Sequence, residues 1–196
     1  MGKVPSRGVA VGRGMEPPGK GRYTLEMWRP FVFSIVILRV VDAFIWLGGA
    51  VGKHPWRASE ESGYPRFGWF RDWVVKEEHY AQIPAYKWFL GHVVLPHIDL
   101  FGWLQFLTEA FLGVALLLGL FVGVTGLVAT LWAFNIALGS YPVPGEQLYA
   151  LQLFVLAPFV LWTARAGRAW GVDAALHRRW RASRSVYARW AARWLV

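Results

Sequence analysis

Three ionisable residues interrupt stretches that are otherwise apolar enough for a lipid interior: Arg39, Asp42 and Glu109. A charge at bilayer depth is costly, so each is a functional candidate by default. Arg39 lies about nine residues from one end of its apolar run and Glu109 about eleven from the start of its own, so both are expected near the midplane. Asp42 follows Arg39 by three residues, one turn along the same helix face. Asn135, late in a third apolar run, falls at a compatible depth. The spacing predicts that Arg39, Asp42, Glu109 and Asn135 cluster inside a helix bundle, with Arg39, Asp42 and Glu109 as the catalytic candidates; two carboxylates facing one arginine leave one acid, Glu109, able to carry a proton. The alternative is that Arg39 only neutralises the two acids and fixes which helices pack together.

Other polar residues carry weaker signals. His54, His79, His92 and His97 crowd one segment between apolar runs, and His177 lies near the C terminus. No two histidines fall on different spans at similar depth, as a bis-histidine haem requires. There is no cysteine, no CxxC, no dinucleotide fingerprint and no phosphate loop. The reading is of a chain with no metal site and no redox centre or bound cofactor of its own.

These residues need a scaffold, and composition identifies it. The 196 residues are 56% hydrophobic and 17% charged, yet carry a net charge of +9. Disorder is excluded by the apolar content. The basic surplus is confined to the ends: six basic and two acidic residues over 1–30, eight arginines and one aspartate over 163–196, and no charge over 110–145. Segregation of this kind marks a membrane protein oriented by its flanks, with no nucleic-acid partner.

The apolar runs predict an all-α bundle of four transmembrane helices, at about 31–51, 98–118, 122–139 and 148–164. Gly119, Gly123 and Gly126 mark a tight turn inside the long middle run, and Ser140-Tyr-Pro-Val-Pro-Gly145 marks another. Four spans put both basic termini on one side, the cytoplasm, within a multi-pass cell-membrane protein. The segment 53–97 then forms an outer loop. Trp69, Phe70, Trp73, Val74 and Tyr80 recur at helical spacing within it, and Tyr86, Trp88 and Phe89 follow Pro84, so short helices lying on the membrane face are expected. Residues 1–28 read as a flexible basic tail, leaving a transmembrane domain over 29–170. Residues 171–196 read as one basic amphipathic helix on anionic lipid, striped by Leu176, Trp180, Ser183, Tyr187, Trp190 and Trp194.

Two stretches resemble a known family. His92-Val-Val-Leu-Pro-His-Ile-Asp-Leu-Phe-Gly-Trp103 leads into Glu109-Ala-Phe-Leu-Gly-Val-Ala-Leu-Leu-Leu-Gly-Leu120, and the fourth run ends in Ala166-Gly-Arg-Ala-Trp-Gly-Val-Asp173. With Arg39, Gly48-Gly-Ala-Val-Gly-Lys53 and Asn135, they resemble the DoxX/DoxD family of small four-span membrane proteins over about residues 29–180. The chain departs from that pattern after Leu120, where relatives usually carry Thr-Arg and this chain has Phe-Val-Gly-Val. The resemblance implies a DoxD-like large subunit of a thiosulfate:quinone oxidoreductase (TQO), paired with a DoxA-like partner. That enzyme couples two thiosulfates to tetrathionate and passes electrons to quinone. Under it, quinone sits near Glu109, Arg39 and Asn135, and Lys53, His54, Arg57 and Arg66 receive the thiosulfate anion. The competing implication is a non-catalytic accessory subunit bracing a haem-copper terminal oxidase or a respiratory supercomplex.

Overall fold

The structure, a computed structural model, describes residues 22–183 and 185–194. Helix α1 (Arg22–Gly52) buries Ile35, Arg39, Asp42, Ala43, Trp46 and Ala50 and exposes Phe31, Phe33, Ile37, Val41, Phe44 and Ile45. Arg39 and Asp42 are inside, while Phe31, Phe33, Phe44 and other large apolar side chains are outside. That inversion is stable where the surroundings are hydrocarbon and the interior satisfies the polar groups. The helix begins at Arg22, so residues 22–28 are helical where a flexible tail is expected; the rest of that tail lies outside the described residues.

A loop leads to α2 (Gly68–Tyr80), and α3 (Pro84–Phe89) then runs through a π turn (Leu90–Val94) and a 3-10 turn (Leu95–His97) into α4 (Ile98–Leu118). The expected helices around Trp69 and after Pro84 are present. The second long helix, however, spans 35 residues from Pro84, well before the expected start at 98. Pro96 explains the irregular turns, because its ring nitrogen cannot donate and its ring crowds the preceding turn. His92 Nδ1 and His97 Nδ1 lie 3.1 and 2.9 Å from the carbonyls of Trp88 and Val93. These two histidines therefore serve the backbone of the irregular stretch.

Gly119, with φ of 65°, ends α4, and Leu120 N–H returns to Ala115 O at 2.8 Å, a glycine C-terminal cap. Helix α5 (Val122–Ser140) follows at once, so of the three candidate turn glycines Gly119 makes the turn. Gly126 instead lies against Trp162 of α6 (Leu148–Thr163), where an added Cβ would come within 3.0 Å of that backbone. The pairs α1/α4 and α5/α6 pack most extensively, and α1/α6 and α4/α5 contacts close the bundle. Among the described residues, three helices are long and apolar enough to cross a membrane: Phe31–Gly52, Pro84–Leu118 and Val122–Ser140. Helix α6 is apolar but has 16 residues.

The C-terminal segment is two helices where one is expected. Helix α7 (Val172–Arg181) and helix α8 (Val186–Trp194) pack on each other. Serines at the joint divert the backbone: Ser185 N–H donates to Ser183 Oγ and Ala188 N–H to Ser185 Oγ. Arg168 and His177 both contact Ala192 O, at 3.0 Å each, which folds α8 back.

Candidate functional site

The antiparallel register of α1 on α4 decides where the intramembrane charges go. A Cβ on Gly119 would come 2.6 Å from Arg39 Nη1, one on Gly113 would meet Leu47 and Ala43, and one on Gly49 would come 3.0 Å from Glu109 Oε2. Arg39 is thus level with Gly119, and Glu109 with Gly49. Ten residues separate the two levels along either helix, about 15 Å. The expected cluster of Arg39, Asp42, Glu109 and Asn135 does not form. Counting depth from assumed span ends put Arg39 and Glu109 on one plane, and the register sets them at opposite ends.

At one end, Arg39 locks backbone. Nη1 donates to Ala166 O at 2.8 Å and to Ala169 O at 2.9 Å, and Nη2 to Trp170 O at 3.4 Å. Asp173 accepts from Phe121 N–H at 2.6 Å and Val122 N–H at 2.8 Å, capping α5, while its own N–H donates to Gly119 O at 3.0 Å. Phe121, Arg165 and Trp170 adopt left-handed φ of 49°, 48° and 52°, strain that the surrounding bonds hold in place. Gly167 leaves room for the Asp173 carboxylate, and Gly171 lies against Gly167 O. The Ala166–Asp173 stretch is therefore a structural latch joining α1, α4, α5 and α7. Phe121 stacks on Trp180 with ring centroids 6.2 Å apart.

At the other end, the helices enclose a cavity of about 450 Å³ under α2. Glu109, 2% exposed, accepts from Lys53 Nζ at 2.9 and 3.2 Å and from Gln105 Nε2 at 2.7 Å. Gln105, one turn before it on α4, accepts from Trp132 Nε1 at 3.2 Å. This chain of side chains forms one polar pole. The second pole is Glu77 on α2, which accepts from Ser140 Oγ at 2.7 Å and Trp73 Nε1 at 3.0 Å. Burial pushes the Glu77 carboxyl above the ordinary carboxylate range, against the opposing pull of Ser140, Trp73 and Lys53. Between the poles the walls are mostly aromatic and aliphatic, including Trp46, Trp69, Phe89, Phe101 and Phe154. Apolar walls with a few convergent polar groups are the usual lining of a small-molecule site.

Of the expected site residues, Glu109, Lys53 and Asn135 line this cavity and Arg39 does not. Asp42, 1% exposed, lies one turn beyond Arg39 toward the cavity but does not line it. The Trp46 indole faces its carboxylate, yet neither group reaches a hydrogen-bond partner. The four expected anion-binding residues have separate surroundings. Lys53 is engaged by Glu109, Arg57 donates to Gly52 O at 2.9 Å and lies over Trp69, His54 Nδ1 is buried without a partner, and Arg66 is exposed. Glu77, Trp73, Ser140, Gln105 and Trp132 are site residues that sequence reasoning missed. The available signals were the i,i+4 pairs Trp73/Glu77 and Gln105/Glu109.

No curated protein and no solved structure matches the chain. Residues 73–192, more than half of the sequence, match the family described as "TQO small subunit DoxD". That description corrects the larger-subunit assignment implied by the resemblance. The matched stretch carries Glu77, Glu109 and Glu146, the acids that line the cavity, and the Asp173 latch; Arg39, Asp42 and Lys53 precede it. The chain belongs to the DoxD/DoxX family.

Proposed function

We propose that this chain is the quinone-binding membrane subunit of a thiosulfate:quinone oxidoreductase. The observation that carries the reading is the aromatic cavity between the helices, with Lys53–Glu109–Gln105–Trp132 at one pole and Glu77–Ser140–Trp73 at the other. Two thiosulfates, one quinone and two protons give one tetrathionate and one quinol: a sulfur–sulfur bond forms, and two electrons pass to the ring. The quinone oxygens become anionic as electrons arrive and must be protonated. Lys53, held by the Glu109 carboxylate, donates to one oxygen, stabilises that charge and gives up the proton, and the Lys53–Glu109 pair is reprotonated from water. Glu77, which burial favours in its protonated form, serves the far oxygen. Because Lys53 and Arg57 are already engaged by Glu109 and Gly52 O, thiosulfate binding is assigned to the interface with a partner subunit.

In this reading α6 is the fourth crossing, short enough to need local thinning or the cover of its neighbours. The basic flanks, including Arg178, Arg179 and Arg181 on α7, then face the cytoplasm, and α7 and α8 lie on the inner leaflet with α2 on the outer face. The test is thiosulfate-dependent quinone reduction by the complex purified in mild detergent. Glu109→Gln is expected to lower turnover about a hundredfold while the complex stays assembled. Unchanged turnover removes Glu109 from the chemistry. Co-purification of stoichiometric haem-bearing oxidase subunits, without thiosulfate activity, replaces this reading with the accessory-subunit one.

A further inference from the structure

Beside the cavity, a second hollow of about 270 Å³ lies between the α2–α3 connection and the outward face of α5. Ile83, Phe134, Ala137, Leu138 and Tyr141 line it, and Ile83, Phe134 and Tyr141 are about half exposed. Tyr86 lines both this groove and the main cavity, so one side chain is the wall between them. The polar end of that wall is held weakly, the Tyr86 hydroxyl donating to Asn135 O at 3.4 Å, the long end of hydrogen-bond range, while its ring packs against the buried cluster of Val74, Leu90, Val94 and Ile98.

We propose that this groove is the seat of the quinone's hydrocarbon tail, and that the ligand enters the cavity sideways from the membrane, past Tyr86. The inference rests on the cavity being a quinone site. A lipid-soluble quinone has a ring that needs polar partners and a tail that has none to offer, and the two compartments divide in that way. The cavity holds the charged poles, and the groove is lined by residues without charge. The same feature argues against a phospholipid as occupant, because the groove offers its headgroup no cation. The groove also opens on the α5 face that carries the exposed Phe134, within one of the helices apolar enough to cross the membrane, which is where a tail arriving from the bilayer would lie.

The full-length protein in nanodiscs tests this directly, because Trp46, Trp69, Trp73 and Trp132 line the cavity and a quinone ring quenches indole fluorescence on binding. The probes are a tail-free benzoquinone and the same ring bearing a ten-carbon chain. The tail is expected to tighten binding at least about tenfold in the unaltered chain, since each buried methylene adds to affinity. Ala137→Trp, which fills the groove from α5, is expected to abolish that gain while leaving tail-free binding unchanged, which also verifies that the variant is folded. Leu138→Trp serves as an independent second block. Equal affinity for the two probes in the unaltered chain overturns the tail seat and leaves the cavity reading standing. A tail gain that survives both tryptophans also overturns it. Failure of both probes to quench overturns the cavity reading and the tail seat together.

Discussion

The two ends of the bundle use buried charge in opposite ways. At the latch, Arg39 and Asp173 bond almost wholly to backbone: carbonyls of Ala166, Ala169 and Trp170 for one, amides of Phe121 and Val122 for the other. Such bonds hold chain segments together and leave the charged groups no freedom to act elsewhere. At the cavity, Glu109 and Glu77 bond to side chains of Lys53, Gln105, Ser140 and Trp73, which are free to rearrange around a ligand. The lesson is that intramembrane charge alone does not mark chemistry; its partners do. A charge bonded to backbone is a fastening, and under the proposed function a charge bonded to side chains beside a chamber is a reagent.

The comparison can be broken most forcefully at the latch. Arg39→Ala leaves three carbonyls of the 166–170 turn without their donor and is expected to cost about 3–5 kcal/mol. Thermal unfolding in detergent should fall steeply, while any folded fraction keeps its quinone affinity. An intact melting temperature together with lost quinone binding would reverse the roles given to the two ends. Next in size is Glu109→Gln, whose roughly hundredfold loss of turnover corresponds to about 2.7 kcal/mol in the activation barrier. Its melting temperature should move by far less than that of Arg39→Ala.

Asp42 sits between the ends and belongs to neither, with both carboxylate oxygens unpartnered. Replacing an unpaired buried carboxylate by an apolar side chain of similar size relieves a desolvation penalty. Asp42→Leu is therefore expected to raise thermal stability by about 1–2 kcal/mol and leave turnover intact. Loss of turnover in a stabilised variant would move Asp42 into the chemistry.

The smallest effect is expected at Glu77. Its folded-state carboxyl titrates above the ordinary range because burial penalises the ion. The stability it contributes is complete below the unfolded carboxylate pKa of about 4.3 and is lost as pH rises through the raised folded value. Helix α2 should loosen toward alkaline pH, seen as faster hydrogen exchange over residues 68–80, and Glu77→Gln should flatten that dependence. An exchange profile identical in the two proteins would mean that Glu77 does not control the docking of α2.

Much of the scaffold is legible in the residues alone. Apolar runs and Gly/Pro punctuation locate α4, α5 and α6 to within a few residues, because helix length and turn chemistry are local properties. The backward extension of α4 to Pro84 is hidden by Pro96, which reads as a boundary and is tolerated as a π and 3-10 irregularity. The site is less legible because it depends on register. Nothing local to Arg39 or Glu109 says that Gly49 will face the acid and Gly119 the arginine. Glu77 escapes for a related reason: within Lys76-Glu-Glu78 it looks like a solvated charge until α2 folds onto Ser140.

The most direct measurement is a structure of the assembled complex with a quinone bound. The account predicts the ring between the two poles, one oxygen within hydrogen-bond distance of Lys53 or Glu109 and the other facing Glu77. A ring found against Arg39 and Asp42, or held wholly by another subunit, would contradict it.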